Sequence, residues 1–278
     1  MAHDPRPARR GRPARRSSPP ERPRGAPPAS TAPPPAAAPQ RIAKLLARAG
    51  VGSRRDIERM ITEGRVALDG VALASPALNV ASLAGITVDG RPVAAPEAVR
   101  LFRLHKPAGV LTTARDPAGR PTVMGLLPEG LPRLLTVGRL DMTSEGLLLL
   151  TNDGGLKRAL ELPATGLERR YRVRAFGPAT QQLLDRLAEG VTIGGVRYGP
   201  VRAFLERKRG DNAWIEVMLS EGKNREVRRL MEWLGLRVNR LIRTHYGPFV
   251  LGDLPVARVA EVERRALARL MAGLGLGG

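Results

Sequence analysis

The chain of 278 residues has no cysteine, three histidines and only 3% aromatic residues. The lack of cysteine removes disulfides, thiolate nucleophiles and zinc–thiolate sites together. His3, His105 and His245 are too scattered for a histidine metal cluster, so metal ligation is not expected. The chemistry must therefore rest on Asp, Glu, Tyr, Arg or Lys. Acidic residues are also scarce, with 26 Asp and Glu against 46 Lys and Arg, a formal charge of +20. That imbalance is the electrostatic footprint of a polyphosphate partner. A membrane partner would need a long apolar span or a basic amphipathic helix with bulky aromatics, and neither is present. The few aromatics argue against an extended platform for stacking bases.

Residues 1–39 hold twelve of the 25 prolines and eight arginines against Asp4 and Glu21. So little apolar surface cannot offset ordering entropy, and dense proline blocks a helix, so a disordered arm is expected. It either adds non-specific phosphate affinity or is a solvated tail without a role. It lacks the apolar core of a secretory signal, and its prolines oppose the amphipathic helix of a transit peptide. A cytoplasmic protein is expected. The arm carries +6 and leaves +14 for the rest.

From residue 40 the texture changes. Arg41–Ala49 reads as a short helix closed by Gly50, and a second begins at Ser53, with Asp56 in the capping-box position and Ile57, Met60 and Ile61 as its apolar face. Asp69-Gly70 and Asp89-Gly90 then mark two hairpin turns. The helix pair bearing Lys44, Arg48, Arg54, Arg55 and Arg59, followed by EGRVALDG, resembles the S4 RNA-binding domain. That resemblance implies that residues 40–96 form a small α/β RNA-binding module whose helix pair contacts RNA. The cations could equally be a solvated face, but the Arg54-Arg55 pair sits at a helix N-terminus, where the dipole disfavours cations and a phosphate would favour them.

A larger domain is expected over 97–260. Strand signals at 101–105, 134–137, 146–151, 171–175, 214–219 and 238–242 alternate with helical periodicity at 155–162, 180–187 and 226–234. The expectation is an α+β fold on a mixed, mostly antiparallel sheet, followed by a C-terminal helix from Glu261 to Met271 within a tail of 261–278.

The most informative stretch is GRLDMTSEGLLLLTNDG, residues 138–154. Leu147–Leu150 is an uninterrupted apolar run and predicts a strand buried on both faces, with Asp141 on the loop before it. Read alone, Asp141 would be a turn residue. The string, however, closely resembles the signature of the pseudouridine synthases that act on ribosomal RNA, in which the Asp of GRLD is the one required group. HKPAG (105–109) resembles the segment that opens their catalytic domain. LERRYRV (167–173) matches the segment placing an active-site Tyr, here Tyr171, and GKNREVRRLM (222–231) the segment whose basic residue pairs with the catalytic Asp, here Arg228.

The resemblance implies isomerisation of uridine to pseudouridine without a cofactor: cleavage of the C1′–N1 bond, rotation of the base and joining of C5 to C1′. Asp141 is the expected nucleophile, toward the sugar or the uracil ring. Arg228 borders the apolar face of its helix, from which a long side chain can reach a cleft and pair with a carboxylate; as one of several cations beside Arg225 and Arg229 it could also be plain surface. Tyr171 is expected to stack on the base and handle a proton, or else to fill core. Leu241 resembles the family's apolar contact under the base. Arg139, Lys223, Arg225 and Arg229 are expected substrate contacts, with Arg170, Arg172 and Arg243 as further phosphate contacts. The wording GKNREVRRL is closest to the B type among the synthases of the large ribosomal subunit, which implies 23S rRNA near the peptidyl transferase centre; members acting on 16S rRNA share most of the other motifs. A monomer is expected. Two rivals remain: a catalytically silent RNA-binding assembly protein, which predicts loss of Asp141, Tyr171 or Arg228, and a glycoside hydrolase pairing Asp141 with Glu145, which the basic balance opposes.

Overall fold

The computed structural model describes residues 39–276 together with Met1 and His3; the arm expected over 1–39 otherwise lies outside them. The first elements are β1 (Gln40–Arg41), α1 (Ile42–Arg48), α2 (Arg54–Thr62), β2 (Val66–Leu68), β3 (Val71–Ala72), β4 (Asn79–Val80), β5 (Ile86–Val88) and β6 (Arg91–Pro92). Ser53 accepts the Asp56 N–H while the Asp56 carboxylate accepts the Ser53 N–H, so the expected capping box forms with Asp in place of Glu. Asp69-Gly70 and Asp89-Gly90 both adopt positive φ (49° and 81°, 50° and 75°), the geometry that lets a two-residue hairpin follow strand twist. The helices bury Ile42, Leu46, Ile57 and Ile61 against Val66 and Ile86 of the four-stranded sheet β3-β2-β5-β6.

The larger part runs β7 (Leu101–Lys106), β8 (Leu135–Val137), β9 (Glu145–Thr151), α3 (Gly154–Glu161), β10 (Arg169–Phe176), α4 (Gln181–Asp185), β11 (Val191–Ile193), β12 (Val196–Tyr198), β13 (Arg202–Arg209), β14 (Asn212–Leu219), α5 (Glu226–Trp233), β15 (Arg237–Tyr246), β16 (Phe249–Val250), β17 (Val259–Glu261) and α6 (Arg264–Gly273). Its main sheet is ordered β13-β14-β10-β15-β9-β7-β17, with β16 beside β15 and β8 beside β9. Every pairing in it is antiparallel except β15 with β9, so the mixed, mostly antiparallel α+β fold is as expected.

Besides the short strands β11, β12 and β16, which were not expected, two longer features differ from the sequence reading. Glu261 ends strand β17 rather than starting a helix, and α6 begins at Arg264 and buries Leu267 against Leu101 and Leu149, so this segment belongs to the core. β13 was not expected, because the charges of RAFLERKR mask its alternation. α4 and α5 cover one sheet face over Val173, Ile215 and Val217, while α3 and α6 cover the other over Leu147 and Leu149. β9 lies between the two layers with Leu147–Leu150 fully buried, as its apolar run predicts.

The parallel junction of β9 with β15 places Gly146 beside Arg243, at φ 103°. A Cβ there would stand 2.3 Å from the Arg243 carbonyl oxygen. We expect Gly146→Ala to cost more than about 2 kcal/mol, read as the shift of the denaturation midpoint at unchanged m-value. Wild-type stability would show that the crossing relaxes without cost.

Candidate active site

Asp141 lies on the loop between β8 and β9, whose first turn is closed by the Ser144 N–H donating to the Asp141 carbonyl (3.0 Å). The HKPAG segment holds that loop in place. Lys106, at the end of β7, is fully buried and donates from Nζ to the carbonyl oxygens of Asp141 (3.1 Å), Ser144 (2.8 Å) and Pro107 (3.0 Å). The Gly109 N–H adds a bond to the Met142 carbonyl (2.7 Å). Burial pushes the Lys106 ammonium down to about 8, with Asp141 and Glu145 acting in the opposite direction.

The Asp141 carboxylate faces two guanidinium groups. Its Oδ2 is 3.3 Å from Arg225 Nη1 and 3.8 Å from Arg228 Nε. Arg228 is the more enclosed, and its Nη2 donates to the carbonyl (3.2 Å) and hydroxyl (3.1 Å) of Thr143. Burial pushes Arg228 down, with Arg225 adding to this and Asp141 opposing it. Arg225 reaches Asp141 from the residue preceding α5, in a left-handed conformation (φ 51°) that is unusual for a side-chain-bearing residue. In front of this group is a cavity of about 220 Å³, lined by Arg139, Asp141, Tyr171, Lys223, Arg225 and Leu241 among others.

Beneath the cavity two further arginines are buried. Arg169 donates to the Tyr246 hydroxyl (2.8 Å) and to the Leu167 carbonyl (3.0 Å), and its guanidinium lies 4.7 Å from the Tyr246 ring centroid. Arg243 donates to the Leu147 carbonyl (2.7 Å) and stands 5.1 Å from the same ring. On the wall, Glu226 is 4% exposed and burial pushes it up to about 7; one of its oxygens accepts the Lys223 N–H (2.9 Å).

The chain is matched over residues 100–233 by the family described as RNA pseudouridylate synthase, and over 40–82 by the S4 domain. An uncharacterized RNA pseudouridine synthase of Rickettsia felis is 44% identical, over 83% of this chain and 100% of that protein. The chain belongs to the RNA pseudouridine synthase family. A synthase of this family is an isomerase. Proteins named ribosomal large subunit pseudouridine synthase B are also similar: that of Pasteurella multocida is 45% identical over 75% of this chain and 62% of its own length, and that of Salmonella typhi 43% identical over 79% and 76%. Among solved structures, a pseudouridylate synthase superposes with a TM-score of 0.60 at 25% identity, covering 83% of this chain and 99% of that one.

Within this synthase the residues singled out from sequence divide into two groups. Asp141, Tyr171, Arg139, Lys223, Arg225 and Leu241 meet at one cavity, and Arg228 approaches Asp141 from behind it. Arg229, one residue further along α5, points elsewhere: it is exposed and donates to the Tyr198 hydroxyl (3.2 Å). Arg243 also lines this cavity but is only 3% exposed, its guanidinium donating to the Leu147 carbonyl within the sheet. Arg170 pairs with Glu168, and Arg172, on the opposite face of β10 from Tyr171, pairs with Glu206 (both 2.7 Å). In the S4 module Lys44, Arg54, Arg55 and Arg59 are exposed, whereas Arg48 is turned inward and its Nε lies 2.6 Å from Asp153, the N-cap of α3. Arg48 therefore ties the module to the catalytic part and is not free for RNA. Lys106, Arg169 and Glu226 were not foreseen as site residues, because buried charge is invisible to periodicity.

Two outcomes test this geometry. The single-turnover rate should fall as pH rises past about 8, where Lys106 loses its proton and one donor to the Asp141 loop. Lys106→Met should be slower throughout and lack that fall; a wild-type rate and profile would contradict the role given to Lys106. Arg225→Gly should keep stability within about 1 kcal/mol of wild type, since glycine adopts positive φ freely, while slowing turnover at least about tenfold; thermal denaturation and rate measurements separate the two.

Proposed function

We propose that the chain converts a uridine of ribosomal RNA to pseudouridine, in 23S rather than 16S rRNA and near the peptidyl transferase centre. The observation that carries this reading is the Asp141 carboxylate set between Arg225 and Arg228 at a cavity walled by Tyr171 and Leu241. The 23S preference rests on similarity to the proteins named ribosomal large subunit pseudouridine synthase B. With that substrate the chain would act in the cytoplasm, and we propose that it acts as a monomer.

A uridine stacked in RNA cannot present C1′ or C5 to Asp141, so the nucleotide must turn out into the cavity. The ring of Tyr171 and the side chain of Leu241 would sandwich the uracil, and Arg139 and Lys223 would hold the flanking phosphates. Asp141 then supplies the nucleophile, bonding to C1′ as the C1′–N1 bond breaks, or to the ring in the alternative order. After rotation C5 joins C1′ as the bond from C1′ to Asp141 breaks and the carboxylate is released; in the alternative order the Asp141–ring bond is the one that breaks. The C5 proton must leave and N1 must gain one, which makes the reaction an isomerisation with no net oxidation or hydrolysis. The Tyr171 hydroxyl is the proposed carrier of that C5 proton. Arg228 orients Asp141 through its bonds to Thr143, and Arg225 closes the other side. The exposed Lys44, Arg54, Arg55 and Arg59 of the S4 module would add phosphate contacts away from the reacting base.

The test is carbodiimide mapping by primer extension on rRNA from a strain lacking the protein. One stop should vanish, return with the wild-type gene and stay absent with Asp141→Asn. Full restoration by Asp141→Asn would overturn the mechanism, and an unchanged 23S pattern with a change in 16S would overturn the choice of RNA.

A further inference from the structure

The half of the main sheet farthest from β7 has its reverse face, the one turned away from α4 and α5, open to solvent. Direct cross-strand pairing places Arg207, Trp214, Arg174 and Arg240 in one row across β13, β14, β10 and β15. The adjacent row on the same face is Arg209, Asn212, Phe176 and Arg237. Arg174 stands directly opposite Arg240, an arrangement that destabilises a sheet unless counter-charge is supplied. Arg240 has its own, in Glu145 (2.8 and 2.9 Å), and Arg172 has Glu206. Among the described residues, no carboxylate lies within ion-pair distance of Arg174, Arg207, Arg209 or Arg237.

The aromatic side chains sit among these cations. Arg172 lies 4.7 Å from the Trp214 ring centroid and Arg237 5.2 Å from that of Phe176. Phe176 is 39% and Phe204 48% exposed. The chain has only two Trp, three Tyr and four Phe, so low aromatic content argued against a stacking surface, yet three of these rings gather on one open face.

We propose that this reverse face, with Arg174, Arg207, Arg209 and Arg237 around Trp214 and Phe176, is a second RNA-binding surface that grips a segment separate from the one holding the reacting uridine. Unpaired guanidinium groups beside exposed rings match phosphates and unstacked bases. The chain's own basic arm, with a charge of +6, is excluded as occupant by charge. A surface facing away from the cavity leaves turnover to the catalytic side and adds affinity only for RNA large enough to fold around both faces. The proposal goes beyond the function above, and because it is read by binding, it stands or falls separately from turnover.

The test compares Arg174→Glu/Arg207→Glu/Arg209→Glu with Arg264→Glu/Arg265→Glu/Arg269→Glu, a control with the same charge change on exposed positions of α6. The probe is a 23S rRNA transcript. The reverse-face variant should bind at least about tenfold more weakly and lose about three units of salt slope, while the control changes less than about threefold. The rate at saturating RNA should match wild type. Arg174→Gln/Arg207→Gln/Arg209→Gln, a milder change that keeps the strands polar, should show the same direction if the Glu variant melts early. In Trp233→Phe, where Trp214 is the one remaining tryptophan, the transcript should quench its fluorescence. Equal losses in both Glu variants would mean general charge attraction and overturn the proposal. So would unchanged RNA affinity with an unquenched Trp214, and retained RNA affinity with lost binding of polyglutamate would assign the face to an acidic protein.

Discussion

At the crossing of β9 and β15 the two backbones approach so closely that residue 146 has no room for a side chain. This one parallel pairing in an otherwise antiparallel sheet joins two layers of the core. On one side of it, β9 is preceded by the loop carrying Asp141. On the other, β15 brings Leu241 to the cavity and Arg243 beneath it, and pairs with β10, which brings Tyr171. Residues distant in sequence thus meet because a glycine lets two strands touch. The Arg243 guanidinium strengthens the contact by donating to the Leu147 carbonyl across it.

Burial of charge near this crossing follows the same logic. A lysine or arginine removed from water is tolerated only when carbonyls, hydroxyls or rings replace its hydration. Lys106 finds carbonyls on the Asp141 loop, Arg169 finds Tyr246 and Leu167, and Arg243 finds Leu147 and Tyr246. Each partner is a backbone group or a buried ring, so these cations act as fasteners of loop and strand. They are part of the basic excess but, although Arg169 and Arg243 line the floor of the cavity, almost none of their surface is exposed. Net charge, read as a single number, therefore overstates how many cations can meet phosphates.

Much of the fold was legible because it rests on short-range rules: the capping box at Ser53, both Asp-Gly hairpins, the buried Leu147–Leu150 strand and the helix of Glu226–Trp233. β13 was not, since its Ala203 and Leu205 are outnumbered by charges that only an open sheet face accommodates. At the site, helix geometry distinguishes neighbours that sequence cannot: about 100° of rotation sends Arg228 to Asp141 and Arg229 to Tyr198. Arg225 escaped the helical reading altogether, because it reaches Asp141 from a left-handed residue outside the helix. The register shift opposite Arg170 and Tyr171 lies in β15, where Thr244 is the extra residue, so β10 keeps its alternation and Arg169 turns inward in step with Tyr171 and Val173; its charge, set in a run of arginines, concealed that inward position.

The distribution of the remaining cations bears on how an RNA would be held. Turning a uridine out of its stack costs a few kcal/mol, and this must be offset by contacts that do not exist before the base moves. Inside the cavity those contacts are few: Tyr171, Leu241 and the cations at its mouth. A small cavity cannot by itself select one uridine among many, since its contacts are common to every uridine. Selection must come from surfaces outside it that recognise the shape of the surrounding RNA. On the proposed reading, the exposed arginines of α2 and the arginine rows behind the sheet are two surfaces on different elements, so only an RNA folded to reach both would gain the full affinity. Geometry of the RNA, more than any base edge, would then decide which uridine meets Asp141.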